Sequence, residues 1–256
     1  MLMNDKECEL FLENVLELGK RYISTGAEAK RVEEALSKIC IAYGFESPEI
    51  YAVTSLIVAT IKSPDGKHYT QSVRAWAGGT DLGRLEELNA QIRNICKTTP
   101  DVYALSDEIK SYEKPKPKPI IKCIGYMLTA GGFSVFFGGS VLDGVVSALI
   151  AIAIYFMDYN LKLRNINSVL YTFTASFASG ALTLLVAHFG FVDNIDMVMI
   201  GDIMLLIPGL LLVNAIKEML NRDIVTGLYR FVEAVFVAVA IAGGFALSVL
   251  LLGGVL

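Results

Sequence analysis

From Ile120 to its end the chain is almost continuously apolar. No single water-soluble core hides a run that long, so it constrains the fold more than any other feature. A helix crossing the hydrocarbon of a bilayer needs about 20 mostly apolar residues, and by that rule the run divides into about five segments. They are 120–137, 144–157, 168–189, 197–216 and 231–252. The second is short, so it is expected to be tilted, broken or buried among its neighbours. Apolar residues make up 54% of the chain and mean hydropathy is +0.53. That is high for a soluble protein. Before Pro115 the charge density is ordinary. The expected fold is therefore an α-helical polytopic membrane protein with a small N-terminal α/β cytoplasmic domain.

The boundary is sharp. Lys114–Pro119 alternates lysine with proline, which favours an extended, semi-rigid linker. The expected organisation is a soluble domain over 1–113, the linker over 114–119 and a transmembrane domain over 120–256. The linker lysines and Lys122 form a basic cluster that anionic headgroups of the lipid bilayer attract. Lys162 and Arg164 follow the second span; Lys217, Arg222 and Arg230 follow the fourth. The loops 138–143 and 190–196 carry no lysine or arginine. Every basic loop thus falls on one side, which places the N-terminus in the cytoplasm and the C-terminus outside the cell membrane. The first residues have no basic region followed by an apolar core and a cleavage site, so no signal peptide is expected.

Within 1–113, apolar residues at Leu10, Phe11, Val15, Leu18 and Tyr22 have helical spacing. Gly26 stops that helix, and Thr25 with Glu28 forms a capping-box pattern for a second one ending near Gly44. Tyr51–Ile61 reads as one strand. Pro64–Gly66 is a turn, and His68–Trp76 returns as a hairpin partner. Thr80-Asp81 caps a helix to Lys97, and Thr99 before Pro100 another. The chemistry here is thin. His68 reads as a solvated strand residue, and Arg31, Glu33 and Glu34 as a solvated helix face. Gly78-Gly79 lacks the lysine and hydroxyl residue that complete a phosphate loop. Cys8, Cys40, Cys96 and Cys123 form no paired or metal-ligand pattern, so they read as reduced thiols. No metal and no cofactor is implied. A net charge of −4 without a basic stripe gives no reason to expect nucleic acid.

The membrane half carries more. Charged groups in hydrocarbon are costly and usually functional. Asp202 lies inside the fourth apolar run and reads as functional. Asp143, after Gly138-Gly139, and Glu233, at the start of the last span, either bind a proton or polar group or sit in water at the interface. Pro208-Gly209 falls mid-span, as a broken-helix element facing substrate or as a simple kink. Thr172, Ser176, Ser179, Gly180 and Thr183 share one helix face, for close packing or for lining a hydrophilic path. Gly131-Gly132 and Gly243-Gly244 read as packing faces, and His188 as interfacial. Lys217–Arg230 is amphipathic and is expected at the cytoplasmic face.

These residues resemble the threonine/serine exporter family. The N-terminal match is Gly26–Glu34 (GAEAKRVEE), with Gly44 and the hairpin behind it. The membrane match is Gly201–Gly209 (GDIMLLIPG), then Asn214, Asn221–Asp223 and Gly227, and Gly138-Gly139 with Asp143 fits as well. The resemblance covers nearly the whole chain. It implies a secondary exporter of a small polar solute, threonine or serine in some members and a dicarboxylate such as succinate in others, driven by the proton gradient. Asp143, Asp202 and Glu233 are then candidate proton or substrate groups, and Asn214 a hydrogen-bonding one. Full-length members carry about twice as many spans in two related halves. This chain resembles a half-length subgroup, which implies a separate small multi-span partner supplying the other half; a homo-oligomer is the other possible assembly. The competing classes are a membrane-anchored sensor with the soluble domain as its output and an intramembrane hydrolase. The hydrolase lacks any nucleophile or metal motif in the spans, so no enzyme activity is expected.

Overall fold

A computed structural model describes residues 3–76, 79–111, 118–162 and 167–254. Gly78, Arg164 and most of the Lys/Pro linker lie outside them. The described chain is mostly helical and divides into two compact units. One comprises residues 1–114 with 213–230, the other 115–212 with 231–256. Residues 213–230, which include the amphipathic Lys217–Arg230, group with the first unit.

In that unit α1 (Asp5–Ser24) opens with a capping box. The Asn4 side chain accepts from the Glu7 N–H at 3.0 Å and the Glu7 carboxylate from the Asn4 N–H at 2.8 Å. Phe11, Leu12, Val15, Leu18 and Tyr22 are buried at three- and four-residue spacing, as a helix facing a core requires. They meet Val32, Leu36 and Ile39 of α2 (Ala29–Ala42) in one core cluster. Gly19 lets α1 come close, since a Cβ there would stand 2.7 Å from Leu36 Cδ1 and 2.8 Å from Ile57 Cδ1. The sheet is antiparallel, in the order β1 (Glu49–Val53), β2 (Leu56–Lys62), β3 (His68–Arg74), with Glu49 opposite Thr60 and Lys62 opposite His68. Ile57, Ala59 and Ile61 point into the core by strict alternation. Helices α3 (Leu82–Thr98) and α4 (Val102–Ser111) add Leu88, Ile92, Ile95, Leu105 and Ile109 to it.

Three local expectations are corrected. Residues 51–61 are two strands, turning at Thr54-Ser55. Thr25 does not cap α2; its hydroxyl donates back to the Tyr22 carbonyl at 2.6 Å, closing α1. Thr99 closes α3 at φ +38°, and Asp101 accepts from the Tyr103 N–H to start α4. Asp81 does cap α3, accepting from the Arg84 N–H at 3.0 Å.

The second unit is built on α5 (Pro119–Phe136), α6 (Val141–Lys162), α7 (Ser168–His188), α8 (Ile195–Leu206), the first residues of α9 (Gly209–Leu220) and most of α10 (Ile224–Leu252). Four of these helices are long and apolar enough to cross a membrane, and five spans result if the pair α8–α9 is one broken span. The protein is a multi-pass membrane protein. The second span is not short: α6 runs for 22 residues. Burial here is inverted relative to a soluble domain. Leu128, Phe136, Val141 and Leu250 are more than two-thirds exposed, while Ser134, Ser147, Ser176, Thr183 and Ser248 are wholly buried. Apolar side chains facing outward cost nothing in lipid, and hydroxyls turned inward find partners between helices. Backbones approach closely at small residues. A Cβ on Gly131 would stand 2.6 Å from the Gly144 carbonyl oxygen, and one on Gly244 2.6 Å from that of Phe173.

Candidate functional site

Asp202 sits two-thirds along α8 and is fully buried. Its two carboxylate oxygens are held separately. Ser147 of α6 donates to one at 2.8 Å and Ser179 of α7 to the other at 2.6 Å. Among the described residues no lysine, arginine or histidine forms an ion pair with it. Gly201 makes this approach possible: a Cβ there would stand 2.5 Å from the Ala130 carbonyl oxygen, 2.7 Å from Ser147 Oγ and 2.9 Å from Ser134 Cβ. Helices α6 and α7 therefore reach the carboxylate on α8, and α5 packs against the neighbouring Gly201. Ser134 is wholly buried, and its hydroxyl has no hydrogen-bond partner among the described residues.

One turn further along, α8 ends. The residue before a proline is pushed out of the helical region, and Ile207 takes φ −58°, ψ 128°. The chain re-enters a helix at Gly209, with a 51° bend between α8 and α9. Such a break leaves the last carbonyls of one helix and the first N–H groups of the next without intrahelical partners. Pro208-Gly209 thus separates two helices rather than kinking one.

The helix face of Thr172, Ser176, Ser179 and Thr183 is buried. Most of it is locally satisfied: Thr172 donates to the Ser168 carbonyl at 2.8 Å, Ser176 to Thr172 at 2.7 Å and Thr183 to Ser179 at 3.0 Å. Of these four, Ser179 alone turns to Asp202. The same face takes α10, with Gly180 against Ser248 and Gly244 against Ser176.

The family described as "putative threonine/serine exporter" (ThrE) matches residues 13–252. The chain belongs to the threonine/serine exporter family. No curated protein and no solved structure matches it. The family match spans both units and includes Asp202, Pro208 and Gly209.

The other candidates lie elsewhere. Asp143 is wholly buried but does not join the cluster. It accepts from the backbone N–H of Ser140 at 2.9 Å, of Asp193 at 2.9 Å and of Asn194 at 3.1 Å, and its own N–H donates to Ser140 Oγ at 3.1 Å. That is a helix cap which also fastens the loop before α8 to the start of α6. Glu233 lies nine residues into α10 and two residues into the part of that helix that counts with the second unit; it is half-buried. Asn214 belongs to the first unit and is half-buried. Ser147 was not legible as a site residue. Its one signal is its place four residues after Asp143, which puts both on one face of α6. Asp158, also on α6, accepts from the Tyr126 hydroxyl at 3.1 Å, a pairing across 32 residues with no local sequence signal.

Proposed function

We propose that this chain is one half of a secondary transporter that exports a small polar metabolite across the cytoplasmic membrane. Threonine or serine is the first candidate substrate, and a dicarboxylate the second. The proton gradient drives export, the N-terminal α/β unit faces the cytoplasm, and a separate small multi-span protein supplies the second half.

The observation that carries this reading is Asp202: a carboxylate deep among apolar helices, paired with no cation among the described residues, held there by two hydroxyls, six residues before a broken helix. Hydroxyls donate or accept as required, so they tolerate both a charged and a neutral carboxyl. That is the property a group needs if it alternately holds a proton and an ammonium or polar substrate group. The break at Pro208-Gly209 supplies free backbone groups nearby, as in other transporters with discontinuous helices. Asp143, saturated by backbone N–H groups, is assigned a structural role here. Asn214 and Glu233 stay secondary candidates. The polar face of α7 contributes Ser179 to the site and packing elsewhere.

The deciding experiment replaces Asp202 by Asn and measures threonine and succinate efflux alongside membrane abundance. Loss of efflux at unchanged abundance supports the proposal, and normal efflux of whichever solute the parent exports removes Asp202 from the mechanism. Co-expression with a neighbouring gene for a short multi-span protein tests the half-transporter reading. Export by this chain alone, in reconstituted vesicles, would overturn it.

A further inference from the structure

Ser134 of α5 stands beside the Asp202 site without a bond of its own. It is wholly buried, and its Oγ has no hydrogen-bond partner among the described residues. Buried hydroxyls on α7 donate back to a carbonyl of their own helix: Thr172 to Ser168 at 2.8 Å, Ser176 to Thr172 at 2.7 Å and Thr183 to Ser179 at 3.0 Å. Such back-bonding is the ordinary way a serine or threonine is satisfied in a membrane helix. By the same spacing Ser134 would use the Ala130 carbonyl. That oxygen is packed against α8, 2.5 Å from where a Cβ on Gly201 would stand. A buried polar group left unmet is rare and calls for a reason.

The surroundings of Ser134 form a continuous seam of small residues within the membrane-helix unit. Gly139, in the turn between α5 and α6, is partly exposed. Ser134 Oγ lies 3.1 Å from where a Cβ on Gly139 would stand, and Met197 Cβ, in the first turn of α8, 3.0 Å from it. On the inner side, Ser134 Cβ lies 2.9 Å and Ser147 Oγ 2.7 Å from where a Cβ on Gly201 would stand. Ser147 in turn donates to Asp202 at 2.8 Å. The order from the surface to the carboxylate is thus Gly139, Ser134, Gly201, Ser147, Asp202. Small residues alone would mean only close packing. An unmet hydroxyl turned into the seam needs a polar guest, and a hydroxyl both donates to and accepts from water. We infer that the seam between α5 and α8 is the route by which water reaches Asp202 from the end of the unit that carries Gly139, and that Ser134 is the residue that hydrogen-bonds it on the way. Ser134 is a positioning residue for that water. The inference rests on the reading of Asp202 as an exchangeable group, and adds to it the side of access: the end of the helices at which Asp143 fastens the loop before α8.

The test uses the purified full chain in lipid nanodiscs, with Cys8, Cys40, Cys96 and Cys123 replaced by alanine. Ser134→Cys places a thiol in the seam, and Ser176→Cys places one at an equally buried position on α7. The probe is Ag+, a small hydrated cation that binds thiolates and can follow a narrow water path. Its reaction is read as the loss of thiol that maleimide can alkylate after denaturation. Position 134 should react severalfold faster than position 176. Narrowing the mouth of the seam should slow that reaction severalfold. Gly139→Ala does so, but its methyl would also press on the Ser134 carbonyl oxygen at 2.8 Å. Met197→Phe, a larger side chain on the facing Cβ, is therefore made alongside, and the variant that keeps the parent's melting temperature is used. Equal rates at 134 and 176 overturn the route, because the seam is then closed packing. A fast rate at 134 that the narrowed mouth leaves unchanged also overturns it, because water then arrives another way. No readout involves efflux. Normal efflux by Asp202→Asn would remove Asp202 from transport and leave the labelling result standing, and equal labelling would close the route and leave the efflux result standing.

Discussion

Asp143 and Asp202 are both wholly buried in the membrane-helix unit, and they are opposite kinds of site. Asp143 is surrounded by backbone N–H groups, three of which donate to it. Those donors cannot turn away without unmaking the start of α6 or the loop before α8. Asp202 is surrounded by hydroxyls on α6 and α7, which rotate freely and can accept as well as donate. Burial of a carboxylate therefore does not by itself mark a transport site. What separates the two is the type of partner: fixed donors make a fastener, and under the proposed function rotatable ones leave a group whose protonation or ligation can change.

The largest effect that separates the two is on transport. Asp202→Asn should reduce efflux by roughly tenfold or more, at least about 1.4 kcal/mol in the barrier, while the melting temperature stays near that of the parent. An amide keeps the volume and can still accept from one serine. Asp143→Ala should do the reverse. It removes charge-assisted hydrogen bonds of ~1.5–3 kcal/mol each, so the melting temperature and membrane abundance should fall, with efflux per surviving molecule largely kept. If Asp143→Ala instead left stability intact and abolished efflux, the distinction between fastener and exchangeable site would collapse. A smaller effect sharpens the second half of the comparison. Ser147→Ala and Ser179→Ala each remove one hydroxyl donor at about 1 kcal/mol, and each should lower efflux partially, with the double variant approaching Asp202→Asn. Additive small losses in stability with no change in efflux would make the serines mere packing.

How much of this could be read from the sequence follows from chain separation. The apolar run, Asp202 and the Pro208-Gly209 break are local signals, and each was visible. Ser147 was not, because its partner is 55 residues away and one serine in an apolar run looks like a small packing residue. Asp143 was visible as an intramembrane acid. Its role as a fastener depends on the Asp193 and Asn194 amides, about 50 residues on. Glu218 and Arg230 form a buried ion pair, 3.4 Å apart, with backbone partners at Ala29 and Ala27; the sequence shows there an ordinary amphipathic surface, because backbone partners have no sequence signature. In the N-terminal unit the β1–β2 turn was missed for a different reason. Thr54-Ser55 carries none of the glycine, asparagine or proline that marks tight turns, and its β-branched neighbours merge two strands into one.

The comparison of carboxylates extends to the N-terminal unit, where the effects are smallest and are read through pH. Glu33 lies half-buried beside β1, and burial pushes its carboxyl above the usual 4.5, although the Ala52 N–H donates to it at 2.9 Å. Asp5 is the opposite case: hydrogen bonds from Lys67 and Tyr69 hold it below the usual 3.8. For Glu33 the folded protein binds the proton more tightly than the unfolded chain does. Its charged form therefore costs stability once the pH rises through and above 4.5, and nothing below that value. For Asp5 the contribution is stabilising above 3.8 and is lost as the pH falls through its lowered folded value. Glu33→Gln keeps an acceptor for Ala52 and should raise the melting temperature slightly at pH 7, whereas Asp5→Asn should lower it slightly, and less so at high salt because the pair is exposed. Both differences should shrink towards zero as the melts are repeated below the ordinary carboxylate range. Equal shifts of one sign in the two variants would mean that neighbouring charge, and not the contrast between burial and pairing, governs these carboxylates.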